Sequence, residues 1–536
     1  MTELENIFEN LNQIIWGPFG VICILSAGVL MTFRLRFFQV THLFHWLNST
    51  VGSLFKKSKD TRPQKGSISQ FGAVCTTLAA TIGTGNITGV AGAIAVGGAG
   101  AVFWMWISAF FGMMTAFSEN LLGIYFREKS KNVQWLGGAM YYLKHGIKYK
   151  PIATVSAAAF AAFSVLASFG IGNLTQANTI AENMDKVFGI SPFLTGGVIT
   201  ALSAAVILGG VNRVSAVTEK LVPFMAGFYM LGCVIIMVIN ANMLADALFS
   251  VIKFAFTPRA GVGGAVGVAI KMGFRRGVFS NEAGLGSAVT VNASADTREP
   301  AVQGMWGIFE VFFDTVVVCT VTAAVILTSG PVDLKTGTLN ANYGDGAALA
   351  AESFSLSFGR FGGVFVAIAI LFFALATILA WSINGLNSFS YLFGERLSPV
   401  YKIVYVGVVF VGSVIPDPSL AWSVSDTFNG LMMIPNLIGL FALSGLTVRI
   451  TENYIDRKIK HKKSTPCCHT IKKYSTSTRR RKCFKYYKKG HSHVFRFCFV
   501  NTIALAALYA VFDNEFCSFR PSVPKNQDIV GIVDYG

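Results

Sequence analysis

The residues with the most distinctive chemistry in this chain lie inside long uncharged stretches. Gly83-Thr84-Gly85-Asn86 interrupts an apolar run over 71–99. Glycine within a helix costs about 1 kcal/mol relative to alanine, and in lipid a freed backbone group costs several kcal/mol unless it finds a partner. A membrane helix broken here exposes groups that bind ions: the N-terminus of a half-helix attracts an anion and C-terminal carbonyls attract a cation. A second polar interruption, Ser280-Asn281-Glu282-Ala283-Gly284, follows about 200 residues later. Five acids, Glu119, Glu282, Glu310, Asp314 and Asp426, also lie within apolar stretches, where an ionisable side chain is functional by default.

Each of these residues has a plainer reading beside the chemical one. Gly83, Gly85 and Asn86 could be a packing notch between helices. Glu282 either hydrogen-bonds an unwound backbone, the stronger reading, or meets a substrate amine. Asp314 serves an ion, or pairs with Arg275, Arg276 or an unpaired amide. Glu119, near a predicted helix end, gates or pairs with a Lys or Arg. Thr377 either bonds the carbonyl one turn back or faces a ligand. Gln176 and Trp381 either face a site or pack.

Composition defines the elements that position these groups. The chain has 536 residues, 53% of them hydrophobic and only 13% charged, against about 25% charged in a soluble domain. The apolar runs are too long for barrel strands of about 10 residues, so the fold class is an all-α membrane protein. The net charge of +17 is local. Residues 449–496 hold 16 Lys or Arg against Glu452 and Asp456, a balance of +14, which leaves +3 for the rest. Nucleic-acid binding is therefore not implied. Residues 1–10 are acidic, unlike a cleavable signal peptide. Cys23, Cys75, Cys233 and Cys319 fall in apolar spans and the other five Cys between 467 and 517, so no disulfide framework is expected.

Stretches of about 20 apolar residues place a preliminary span at 10–33 and core spans at 71–99, 100–126, 152–181, 187–212, 221–245, 262–296, 302–328, 361–394, 403–416 and 420–448. That is about 11 transmembrane helices. The chain divides into an N-terminal extra helix (1–33), a basic cytoplasmic loop (34–67), a first repeat (68–245), a second repeat with its connection (246–450) and a basic Cys-containing tail (451–536). Lys and Arg gather in the loops after the preliminary span and after core span two. The positive-inside bias then puts the N-terminus outside and the end of core span ten in the cytoplasm. Core spans one and six are both broken and open sets of five. An odd number inverts the second set, so the architecture is a 5+5 inverted repeat with a site between the breaks, as in many transporters.

At this point particular motifs become recognisable. Ala80-Thr81-Ile82-Gly83-Thr84-Gly85-Asn86-Ile87 and Arg276-Gly277-Val278-Phe279-Ser280-Asn281-Glu282-Ala283-Gly284-Leu285-Gly286-Ser287 resemble the alanine or glycine:cation symporter family. So do Asp314-Thr315 with Cys319-Thr320, and Asp426 with Asn429, Pro435 and Asn436. The resemblance covers about 10–450 and implies the fold of the amino acid–polyamine–organocation transporters. It further implies sodium-driven uptake of small neutral amino acids across a bacterial or archaeal inner membrane.

Residue by residue, the resemblance implies that the Thr84 and Gly85 amides hold the substrate carboxylate. Asn86, Gln176, Phe279, Ser280, Asn281 and Trp381 would complete the substrate site. Ala79 and Ile82, with Phe373 and Thr377 on core span eight, would bind sodium. The expected partners are alanine or glycine, sodium and membrane lipid, with no organic cofactor and no covalent chemistry.

The alternatives are the same fold with another small amino acid or a proton, an ion channel, and a membrane enzyme. A channel needs a continuous polar pore or carbonyl ring, which two isolated breaks do not supply. No His–acid or Cys–His pair lies among the spans. No phosphate-binding loop is present either. Within the tail, Cys467-Cys468-His469 lacks a second ligand pair at metal-site spacing. The tail reads as an extension whose removal leaves uptake intact.

Overall fold

The computed structural model describes residues 3–55, 66–130, 134–256, 265–340, 343–344, 346–417 and 419–462. All of them belong to the compact unit Met1–Tyr487. The tail motif Cys467-Cys468-His469 lies outside the described residues.

Helices account for nearly all of the architecture. Chain order runs α1 (Glu3–Ile15), α2 (Pro18–Arg34), α3 (Gln70–Thr81), α4 (Thr88–Gly97), α5 (Gly100–Phe126), α6 (Ala139–Gly146), α7 (Lys150–Phe169), α8 (Thr175–Phe188), α9 (Pro192–Ile207), α10 (Val211–Ile239) and α11 (Ala241–Phe256). It continues with α12 (Ala265–Asn281), α13 (Ala288–Asn292), α14 (Pro300–Val311), α15 (Thr320–Thr328), α16 (Gly346–Phe358), α17 (Arg360–Phe393), α18 (Ser398–Val414) and α19 (Ser419–Lys458). Among the described residues, eight helices are long and apolar enough to cross a membrane, and the pair α3–α4, bent by 62°, makes nine. The shorter α9 and the interrupted α12–α13 occupy the fourth and sixth core positions. Phe193, Leu194, Val198 and Leu202 on α9 are exposed, as befits an apolar surface turned toward lipid.

Packing follows the repeat. Core helix two (α5) lies against core helix seven (α14), and core four (α9) against core nine (α18). Core three (α7) meets core ten (α19), as core eight (α17) meets core five (α10). A shift of five helices maps each contact onto another or onto itself, as two equivalent repeats require.

Several boundaries differ from the hydropathy reading, for local reasons. Core span five begins at Val211, because Gly210 adopts φ +79° and starts a new helix there. Core span ten continues to Lys458, eight residues into the predicted tail, and Arg457 forms a forked ion pair with Glu299 through two 2.8 Å bonds. The predicted basic loop after α2 carries three short helices, Phe38–Thr41, Leu43–Ser49 and Val51–Leu54, and buries Trp46.

Candidate functional site

The first break begins where α3 ends. Ile82 leaves helical geometry at ψ 86°, and Gly83 is extended at φ −127° and ψ −155°. Thr84–Asn86 form a single 3-10 turn before α4. The Gly83 amide, freed by the break, donates to Asn86 Oδ1 at 3.0 Å. Thr84 and Gly85 open the turn, where amides have no partner within their own helix. At the other edge, Thr377 Oγ1 on α17 lies 3.0 Å from the Ala79 carbonyl oxygen and 3.0 Å from the Phe373 carbonyl oxygen, with one hydroxyl proton to donate between them. A Cβ on Gly83 would stand 2.9 Å from Thr377 Oγ1, so only glycine lets the break approach α17 this closely.

The second break depends on left-handed backbone. Glu282 (φ +54°), Gly284 (φ +95°) and Gly286 (φ +81°) follow α12 within five residues, and no helix continues through such a run. Side chains satisfy the loosened backbone. Asn281 Oδ1 accepts from the Ala283 amide at 3.0 Å, and Glu119 Oε1 accepts from the Gly284 amide at 3.1 Å. Asn436 Nδ2 donates to the Gly284 carbonyl at 2.8 Å and to Glu119 Oε1 at 2.5 Å. Beyond α13, the Arg127 guanidinium donates to the carbonyls of Ala293, Ala295 and Thr297 at 2.7–2.9 Å. Ile68, just before α3, forms a parallel bridge with Ala295, so the two broken helices are tied at their ends.

Between the breaks lies a cavity of about 20 Å³, lined by residues of core helices one, three, six, eight and ten. A space of about 10–15 Å³ holds one water, so the cavity has room for little more than a single water molecule. Among the expected substrate residues, Thr84, Gly85, Gln176, Phe279 and Trp381 line it, and so does the expected cation residue Thr377. Thr84 Oγ1 is 3.4 Å from Gln176 Oε1. The Phe279 ring lies against Gly85, with 3.7 Å to the position of a Cβ there. Glu282 and Asn429 also line the cavity.

Asn86, Ser280 and Asn281 do not line the cavity; Asn86 and Ser280 meet at Asp314, and Asn281 meets the adjacent Thr315. Asp314 sits fully buried in a π-helical stretch, Phe312–Cys319, between α14 and α15. Asn86 Nδ2 donates to Asp314 Oδ1 at 2.7 Å, and the hydroxyls of Ser280 and Thr315 each donate to Oδ2 at 2.8 Å. Asn281 Nδ2 reaches Thr315 Oγ1 at 3.1 Å. One carboxylate thus holds residues of both breaks. Among the described residues no ion pair includes Asp314, whose amide partner is Asn86; Arg275 lies 3.7 Å from Asp426 instead. Of the other expected cation residues, Ala79 and Phe373 come together through Thr377, whereas Ile82 is the buried residue at the end of α3.

Glu119 differs from its sequence reading. It is buried at the second break and forms no ion pair among the described residues; its partners are the Gly284 amide and Asn436, which in turn accepts from the Tyr142 hydroxyl. Glu310 is likewise held by amides, with Asn120 and Asn292 donating at 3.2–3.3 Å. Position within a long apolar helix is a poor guide to such contacts, because it does not say which neighbour a polar side chain will face. The pairing of Asn292 with Gln303, 2.6 Å apart, had no sequence signal beyond two amides in apolar surroundings.

Two interrupted helices around one buried cavity, in an otherwise helical membrane-spanning chain, define a membrane transporter rather than an enzyme. The chain belongs to the sodium:alanine symporter family, whose model matches residues 1–468. It is 41% identical over 452 residues to the sodium/alanine symporter AgcS of Methanococcus maripaludis, covering 84% of this chain and 97% of that one. It is 36% identical over 457 residues to the probable sodium/glutamine symporter GlnT of Bacillus subtilis, covering 85% and 91%. The putative sodium/proton-dependent alanine carrier YrbD of Bacillus subtilis is 34% identical over 472 residues, covering 85% and 93%. The protein is thus a multi-pass membrane transporter of a sodium:amino acid symporter family.

Proposed function

We propose that this chain imports alanine or glycine together with sodium across the inner membrane by alternating access. The observation that carries the reading is the cluster at Thr377. A hydroxyl and the main-chain carbonyls of Ala79 and Phe373 converge at 3.0 Å distances at the wall of the cavity, a set of hard oxygen donors suited to a small hard cation. The Thr84 and Gly85 amides on the same wall suit a carboxylate. Trp381 and Phe279 at the cavity wall favour a substrate with little or no side chain. The residues 68–245 and 246–450 act as the two repeats that rock about this site, with the N-terminus outside and the end of α19 in the cytoplasm.

A zwitterion moving with one sodium carries one net charge, so uptake responds to membrane potential at about 2.3 kcal/mol per charge per 100 mV. The test is uptake of labelled alanine and glycine into proteoliposomes under sodium, potassium or proton gradients. Accumulation is expected with inward sodium and to grow with an inside-negative potential. Uptake that ignores sodium but follows protons would replace the coupling ion. Uptake of glutamine alone would replace the cargo.

A further inference from the structure

The Thr84 and Gly85 amides account for the carboxylate and the Thr377 cluster for the coupling cation, while for the amino group the expected residues offer the Gln176 side-chain oxygen, already within 3.4 Å of the Thr84 hydroxyl. Asn429 on α19 is only 1% exposed, lines the cavity, and its Oδ1 has no hydrogen-bond partner among the described residues. Glu282 lines the same cavity from the second break, where its carboxyl accepts from the Ser287 hydroxyl and from the Trp381 side chain. None of the ion pairs among the described residues includes Glu282. A buried carboxylate and an unpaired buried carbonyl are both costly unless a donor meets them.

We infer that Asn429 and Glu282 form the acceptor wall for the substrate's ammonium group, with Asn429 Oδ1 receiving one of its N–H bonds. This rests on the amino acid cargo proposed above. The carboxylate is then held by backbone of core helix one and the ammonium by side chains of core helices six and ten. The substrate then bridges three elements drawn from both repeats. The wall distinguishes an α-amino acid from a carboxylate of the same size that lacks the amine. Binding such an analogue leaves Asn429 Oδ1 unpaired, and sites built around a hydrogen bond reject analogues that cannot make it.

The test uses the full-length purified protein in sodium. Dissociation constants are measured for alanine, glycine and glutamine, and for propionate, which keeps the carboxylate and methyl group of alanine without the amine. Wild-type protein is expected to prefer alanine to propionate by at least about tenfold. Asn429→Leu keeps the branching at Cγ, with bulkier methyl groups, and removes the acceptor. It should weaken alanine by about tenfold or more while propionate changes by no more than about twofold. Asn429→Asp restores an acceptor and should bind alanine within about threefold of wild type.

Unchanged alanine affinity in Asn429→Leu, or a parallel loss of alanine and propionate, overturns the assignment. If Asn429→Leu does not yield a monodisperse protein, the wild-type comparison decides: equal affinity for alanine and propionate overturns it. A wild-type protein that binds glutamine but neither alanine nor glycine overturns the cargo alone. The ammonium wall then stands or falls on whether Asn429→Leu weakens glutamine. Binding of no amino acid overturns both.

Discussion

Asn86 shows what one side chain does at this site. Its carbonyl accepts from the Gly83 amide, and its amide donates to the Asp314 carboxylate at 2.7 Å. Removing it leaves a buried amide and a buried carboxylate each short of a partner, at about 1–3 kcal/mol apiece. Asn86→Ala is therefore expected to lower sodium-driven uptake at least tenfold in protein that still reaches the membrane; wild-type rates would reduce the break to a packing feature. Thr377 gives a narrower test. Thr377→Val keeps the shape and removes the hydroxyl that joins the Ala79 and Phe373 carbonyls. It should raise the sodium concentration needed for half-maximal uptake about tenfold or more, whereas Thr377→Ser should stay near wild type. Equal sodium dependence in all three proteins would remove Thr377 from the cation site.

At the scale of elements, the breaks are held open by backbone that few residues can adopt. Gly286 sits at φ +81°, and a Cβ there would lie 2.9 Å from Asn436 Cγ and from Phe160 Cε2. Gly286→Ala combines strain with a clash, and should cost about 1–3 kcal/mol and lower the melting temperature of purified protein by several degrees. Gly227, inside α10, is the control, because a Cβ added there would meet nothing within 4 Å. Gly227→Ala should be neutral or stabilising, since alanine is the better helix former by about 1 kcal/mol. Similar melting curves for the two variants would show that the second break tolerates ordinary backbone. Both breaks were legible as glycine and polar residues in apolar runs. The side chains that satisfy them were not, because Glu119 and Asn436 come from helices remote in sequence from Gly284.

For the whole molecule, the distribution of charge and the extent of the family match separate the transporting part from the tail. The family model ends at residue 468, and most of the net positive charge lies from residue 449 onward. Arg457 still belongs to the folded body through its fork with Glu299. Deletion of 466–536 is therefore expected to leave sodium-driven uptake within about twofold of full length, at equal membrane expression. Loss of uptake in a well-expressed truncation would give the tail a part in transport. Reporter fusions to the two ends of a protein truncated after α19 should place them on opposite faces of the membrane, with the N-terminus outside.

The sequence by itself determined that the chain is a helical membrane protein, where its helices break and which family it resembles. Those are properties of composition and local backbone: hydropathy sums along the chain, and glycine interrupts a helix wherever it is placed. Tertiary structure decided which polar groups meet. Asn86 and Asp314 are 228 residues apart, and Asn429 reaches the cavity from core helix ten. A hydrogen bond depends on distances of a few tenths of an ångström between side chains on different helices, and helix packing alone sets those distances. For that reason the sequence placed Asn86, Ser280 and Asn281 together with Thr84 and Gly85. The fold divides them instead into a cavity wall and a hub at Asp314 and Thr315.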